Sequence, residues 1–147
     1  LAQLGLAASI QPQHAMDDRD VIARFWGTPA GIPYAFNSLH KAGTKLLMGS
    51  DAPVAPLDPW LAISAAVFGT ESSDREPFQP EQCLDFETAL ASSTAVGRVA
   101  LRDADTADLV LLDCDPSIID SPEAMRAMPE HVLGTMLAGR WTYQQAE

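Results

Sequence analysis

An imidazole, a carboxylate and a hydroxyl stand just beyond two short apolar runs of this chain. His14 follows the run Leu6 to Ile10 through Gln11-Pro12-Gln13, and Ser50-Asp51 follows the run Lys45 to Gly49. If the runs are strands, both groups lie on loops at strand C-terminal ends, where α/β architectures place their functional groups. Side chains of these kinds do general acid–base work. Taken alone, Asp51 equally suits a helix cap or a loop hydrogen bond, and His14 suits a satisfied rim histidine. The remaining candidates are weaker. His40 falls in a helical stretch and His131 at a strand edge, and both read as structural. Asp113 and Asp115 flank Cys114 ahead of Pro116, which reads as a solvated turn and not as a metal site. Cys83 and Cys114 show no CxxC spacing and are too few for a disulfide scaffold, so they read as two buried reduced thiols. No nucleophile elbow, P-loop, GxGxxG or HExxH is present.

The elements that must carry these groups follow from pattern and punctuation. Residues 1–5 read as a helix tail stopped by Gly5. Leu6 to Ile10 and Lys45 to Gly49 lack alternation and read as buried strands. Gln11 to His14 reads as a loop, with a short helix over Val21 to Phe25. Residues 27–33 hold two glycines and two prolines and must be irregular. Asn37 or Ser38 would cap a helix ending near Gly43. Asp58-Pro59 opens a helix to Phe68 with Trp60, Ile63 and Val67 on one face. Pro80 opens another to about Ser93, burying Cys83, Phe86 and Leu90. Then the pattern changes. Arg98 to Leu101 is a weak strand and Leu109 to Leu112 a strong one. Ser121-Pro122-Glu123 starts a short helix, and His131 to Leu137 turns at Gly139-Arg140 into a return strand at Trp141 to Tyr143. The alternation of strand and helix predicts a parallel sheet covered by helices up to about residue 95, and a different, β-rich segment from 96 to 147.

Composition narrows the function. Of 147 residues, 47% are hydrophobic and 20% charged, a globular mixture with no run near the roughly 18 apolar residues of a membrane span. A net charge of −11, with basic residues scattered singly, disfavours nucleic acid and anionic membrane surfaces. Leu1 to Ile10 has no basic lead-in, so it is not a signal peptide, and a cytoplasmic location is expected. The chain opens without Met, as if in mid-domain.

The string Met48-Gly49-Ser50-Asp51-Ala52-Pro53-Val54, followed by Pro56-Leu57-Asp58-Pro59-Trp60, resembles the last barrel strand and loop of the amidohydrolase superfamily. It is most similar to the branch that includes N-substituted formamide deformylases. Ser9-Ile10-Gln11-Pro12 with His14 resembles the preceding barrel strand, and residues 79–94 resemble the helix that leaves the barrel. Residues 107–113 and 135–140 resemble strands of the small β-domain that closes such chains. The resemblance implies an α/β chain: the last two βα units of a TIM-type (β/α)8 barrel over 1–95, then a small β-element over 96–147. It implies that the parent enzyme hydrolyses a non-peptide C–N bond of a small molecule with a divalent metal, zinc first among the candidates. Asp51 would there be a metal ligand or the base that takes a proton from the attacking water, with His14 and Ser50 lining the substrate mouth. The family's His-x-His, its bridging lysine or acid, and its mid-barrel histidines are missing from this stretch, and a Gly-bearing turn is replaced by Asp103-Ala104-Asp105-Thr106. The reading is therefore a C-terminal segment, inactive by itself, with no metal expected in this chain. Its uncovered strands predict a homo-oligomer. The rival reading is a non-catalytic folding or oligomerisation module, separated from the first by ligand count.

Overall fold

The computed structural model describes residues 1–27, 31–94 and 106–146. The strand expected at Arg98 to Leu101 and the segment boundary near residue 95 lie outside the described residues. A single 3₁₀ turn at Ala2–Leu4 ends at Gly5 in the left-handed region, φ 66°, as the sequence predicts. Strand β1 (Ala8–Ile10) and strand β2 (Leu46–Met48) pair in parallel, with Ala8, Ser9 and Ile10 opposite Leu46, Leu47 and Met48. A parallel pair needs a crossover, and helices α1 (Pro12–Phe25) and α2 (Phe36–Lys41) provide it.

Two local expectations are corrected here. Gln11 to His14 is not a loop. Pro12 takes the first helical position, where its missing N–H costs nothing and its fixed φ already suits the helix, so α1 is a 14-residue helix and His14 lies in its first turn. The strands bury one face, not two. Ala8, Ile10 and Leu46 are buried, while Ser9 and Leu47 face outward and Leu6 is half-exposed.

Helix α3 (Pro59–Phe68) begins as predicted, with the Trp60 N–H donating to the Asp58 carboxylate at 2.9 Å. It ends at Gly69, φ 63°, where a Cβ would meet Cys83 Sγ at 2.8 Å and the Phe78 carbonyl oxygen at 3.0 Å. Glycine is required there on both counts. The helix is buried well beyond the single predicted face: Trp60, Ala62, Ile63, Ser64, Ala65 and Ala66 are all inside. Its alanines let α1, α4 and α5 approach from several sides. Helix α4 (Phe86–Ser92) starts later than Pro80 suggests. Pro80–Gln82 makes one 3₁₀ turn, Cys83 is extended, and the Asp85 carboxylate caps the true start by accepting from the Thr88 N–H at 2.8 Å. Helix α2 likewise starts at Phe36. Asn37 is not its cap, because its side-chain amide donates to the Glu81 carbonyl at 2.9 Å.

Strands β3 (Leu109–Leu112), β4 (Val132–Leu137) and β5 (Arg140–Gln144) form an antiparallel sheet in that order. The β4–β5 turn uses positive φ at Ala138 (48°) and Gly139 (77°), the geometry of a two-residue hairpin loop. The Ala138 N–H donates to Asp108 Oδ1 at 2.7 Å. Gly134 leaves room for the Trp141 ring, whose edge would lie 2.8 Å from a Cβ at that position. Helix α5 (Pro122–Arg126), capped by Ser121, ties this second half to α3. The buried Ser64 hydroxyl donates to the Pro122 carbonyl at 3.3 Å, and Met125 and Met128 are fully buried. On its flank, the Ser73 N–H and hydroxyl donate to the Glu123 carboxylate at 2.6 and 2.7 Å.

Candidate functional site

The C-terminal ends of β1 and β2 bring two of the sequence candidates together. The Gly49 N–H donates to the Ile10 carbonyl at 3.0 Å, which carries the ladder one step past β2. Two residues later Asp51 adopts φ 61°, a left-handed conformation that aspartate tolerates better than most residues. That turn aims its carboxylate at α1, where His14 Nε2 lies 3.2 Å from Asp51 Oδ2. A carboxylate oxygen accepts, so the His14 tautomer that fits this contact carries its proton on Nε2. The other ring nitrogen, Nδ1, is 3.8 Å from Asp17 Oδ2. The His14 side chain is 24% exposed and that of Asp51 58%, so the pair meets solvent on the carboxylate side. The Ser50 hydroxyl accepts from the Ala52 N–H at 3.2 Å and shapes the loop.

Imidazole nitrogen and carboxylate oxygen are the right kinds of donor for zinc, but a catalytic zinc takes about three protein ligands. Asp17 does not complete the set, because it contacts the opposite ring nitrogen. Among the described residues this mouth therefore offers two donors. What the pair does provide is an imidazole N–H donating to a carboxylate at the mouth of the two strands.

Along the same helix, Asp18 accepts a hydrogen bond from the Tyr34 hydroxyl. Burial first, and then Asp18, push that hydroxyl above the ordinary tyrosine range. His40 is exposed on the last turn of α2. The cysteines are free and half-buried, and burial pushes the Cys83 thiol up.

The expectation that this chain holds no metal site is overturned by a second constellation. Asp113, Cys114 and His131 each direct a ligand atom into one place, all within 4.8 Å of one another. His131 Nδ1 lies 2.8 Å from Asp113 Oδ1. In the sequence they stand apart, as a solvated turn and a structural histidine, because 18 positions divide the histidine from the aspartate. Antiparallel pairing of β3 with β4 removes that separation, and the Asp113 N–H donates to the His131 carbonyl at 3.1 Å. A search for ligand spacing along the chain cannot see a set assembled across strands. Burial first, then the neighbouring carboxylates of Asp113 and Asp115, push the Cys114 thiol above its ordinary value.

A protein of Arabidopsis thaliana, LONG AFTER FAR-RED 3, is 30% identical over 152 residues, covering 96% of this chain and 25% of that protein. YtcJ of Bacillus subtilis (strain 168), named as a candidate amidohydrolase, is 26% identical over 157 residues, covering 99% of this chain and 29% of that protein. The chain thus spans between a quarter and a third of the length of these relatives. A crystal structure of an uncharacterized metal-dependent hydrolase from Pyrococcus horikoshii OT3 superposes with a TM-score of 0.53 at 28% identity, over 65% of this chain and 20% of that one. Residues 1–143 match the Amidohydrolase family throughout both halves of the fold, and the chain belongs to that family.

Proposed function

We propose that this chain works within a metal-dependent hydrolase that cleaves a non-peptide C–N bond of a small molecule, and that Asp51 is its proton-transfer carboxylate. The observation that carries the reading is the Asp51–His14 contact of 3.2 Å across the mouths of two parallel strands. The resemblance to the formamide deformylase-like branch suggests an N-substituted formamide or a similar small amide. In that reaction a water oxygen adds to the carbonyl carbon and its proton passes to Asp51. The proton then moves to the nitrogen, the C–N bond breaks, and a carboxylic acid and an amine leave. His14 holds the carboxylate through its Nε2 proton, and Ser50 fixes the turn that presents it. The ion that the family implies finds donors of the right kind here but too few of them. The missing ligands are proposed to come from other units of a complete barrel.

The test is Asp51→Asn in the whole enzyme, which keeps the shape of the side chain and removes its charge and proton-accepting oxygen. A fall in kcat of roughly 10²–10⁴-fold with little change in KM is expected for loss of a general base. Wild-type kcat in a variant with unchanged metal content would leave Asp51 as a loop residue.

A further inference from the structure

We propose that Asp113, Cys114 and His131 form a zinc site on the three-stranded sheet, separate from the His14–Asp51 mouth and built on different elements. The donor set suits zinc, which accepts carboxylate oxygen, thiolate sulfur and imidazole nitrogen in one tetrahedral shell. It does not suit calcium or magnesium, which take oxygen ligands almost throughout.

The backbone brings the donors together before any ion arrives. The Asp113 N–H to His131 carbonyl bond, 3.1 Å, fixes the two residues across the β3–β4 ladder. Asp115 belongs to the next turn, which its carboxylate caps by accepting from the Ser117 N–H at 2.9 Å. Behind the cluster, Met128 is fully buried with its sulfur 3.8 Å from Cys114 Sγ, so the thiol has an apolar wall on one side.

Only small movements are needed. His131 Nδ1 and Asp113 Oδ1 now lie 2.8 Å apart. Around an ion with bonds of about 2.0–2.2 Å, the tetrahedral edge between them opens to roughly 3.3–3.6 Å. The third donor is already inside 4.8 Å. On binding, the Cys114 proton passes to solvent, the His131 proton resides on Nε2, and Nδ1 turns its lone pair to the ion. Three protein ligands leave the fourth position to water. The site would join the end of β3 to the start of β4, which is a stabilising role for the small sheet and carries no part of the hydrolysis.

Cobalt(II) is the probe, because a thiolate ligand gives it a near-ultraviolet charge-transfer band that carboxylate and imidazole do not. Titration of the 147-residue chain is expected to give one such band saturating at one equivalent and bleached by zinc. Cys114→Ser is expected to abolish the band, and Asp51→Asn to leave it intact, which keeps this site distinguishable from the proposed mouth. His131→Asn retains the thiol and is expected to weaken cobalt by at least about tenfold, the scale seen even for outer-shell partners. No band at a several-fold excess of cobalt would overturn the proposal. So would a band that survives Cys114→Ser and disappears in Cys83→Ser.

Discussion

Exposed carboxylates do different work in this chain according to what donates to them. Asp51 faces one imidazole, whereas Glu123 takes both donors of Ser73 and is held down to a pKa of about 2, its backbone N–H bond from Ser73 being the largest cause. The sign follows from that depression. The ionised form is favoured in the folded chain, so the contribution is fully present above the ordinary glutamate value of 4.5 and is lost as pH falls toward about 2. Glu123→Gln is therefore expected to lower Tm at neutral pH, with the gap to wild type closing between those two values. A Tm difference that does not change across that window would show that Ser73 and Glu123 contribute nothing through charge. Asp51 and His14 were legible as separate residues because both follow apolar strands. Their contact was not, because it depends on Pro12 starting the helix early enough to place His14 in its first turn. Asp113, Cys114 and His131 carry no local signal of a shared site, since strand pairing alone makes the histidine a neighbour of the other two.

At the scale of elements, proline marks a possible helix start with or without a side-chain cap: Pro12 opens α1 behind Gln11, which makes no cap bond. Pro59 follows a capping Asp58 and Pro122 a capping Ser121, and both open helices as the sequence predicts. Pro80 follows Gln79, which makes no cap bond, and yields one 3₁₀ turn. The helix waits for Asp85, whose carboxylate accepts from both the N–H and the hydroxyl of Thr88. Those bonds, the backbone one first, hold the Asp85 carboxyl below its ordinary range. Asp85→Ala is expected to cost about 1 kcal/mol, the usual scale for an N-cap, and Asp85→Asn clearly less. Urea unfolding checks it through the midpoint, and an unshifted midpoint for Asp85→Ala would mean that α4 is held by packing alone. The small β hairpin was equally legible, because Gly139 and the flanking alternation are local signals. The extent of burial around α3 was not. It reflects α5 arriving from some 60 residues away, with the Pro122 carbonyl accepting the Ser64 hydroxyl.

The whole molecule buries its apolar side chains unevenly. Ile63, Met125 and Met128 are sealed between the helices, while Leu109, Val110, Leu111, Leu137, Trp141 and Tyr143 of the antiparallel sheet stand 36–61% exposed. Leu6 and Leu47 are also partly open beside the parallel pair. Ile10 and Leu46 are covered by the helices of this chain. Unpaired strand edges invite pairing with another chain, and open apolar side chains add to that pull. Opposing this is a net charge of −11, which makes two copies repel at low salt. Salt near physiological strength reduces the Debye length to about 8 Å, so repulsion fades while apolar attraction remains. The chain is therefore expected to self-associate, more strongly at 0.15 M salt than at about 0.01 M. Val110→Glu, at a position 60% exposed, should weaken that association without a folding defect. Sedimentation at micromolar concentration reads both effects. A species of 15.8 kDa at both salt concentrations would show that these strands remain solvated in a stable monomer, and would remove the case for assembly.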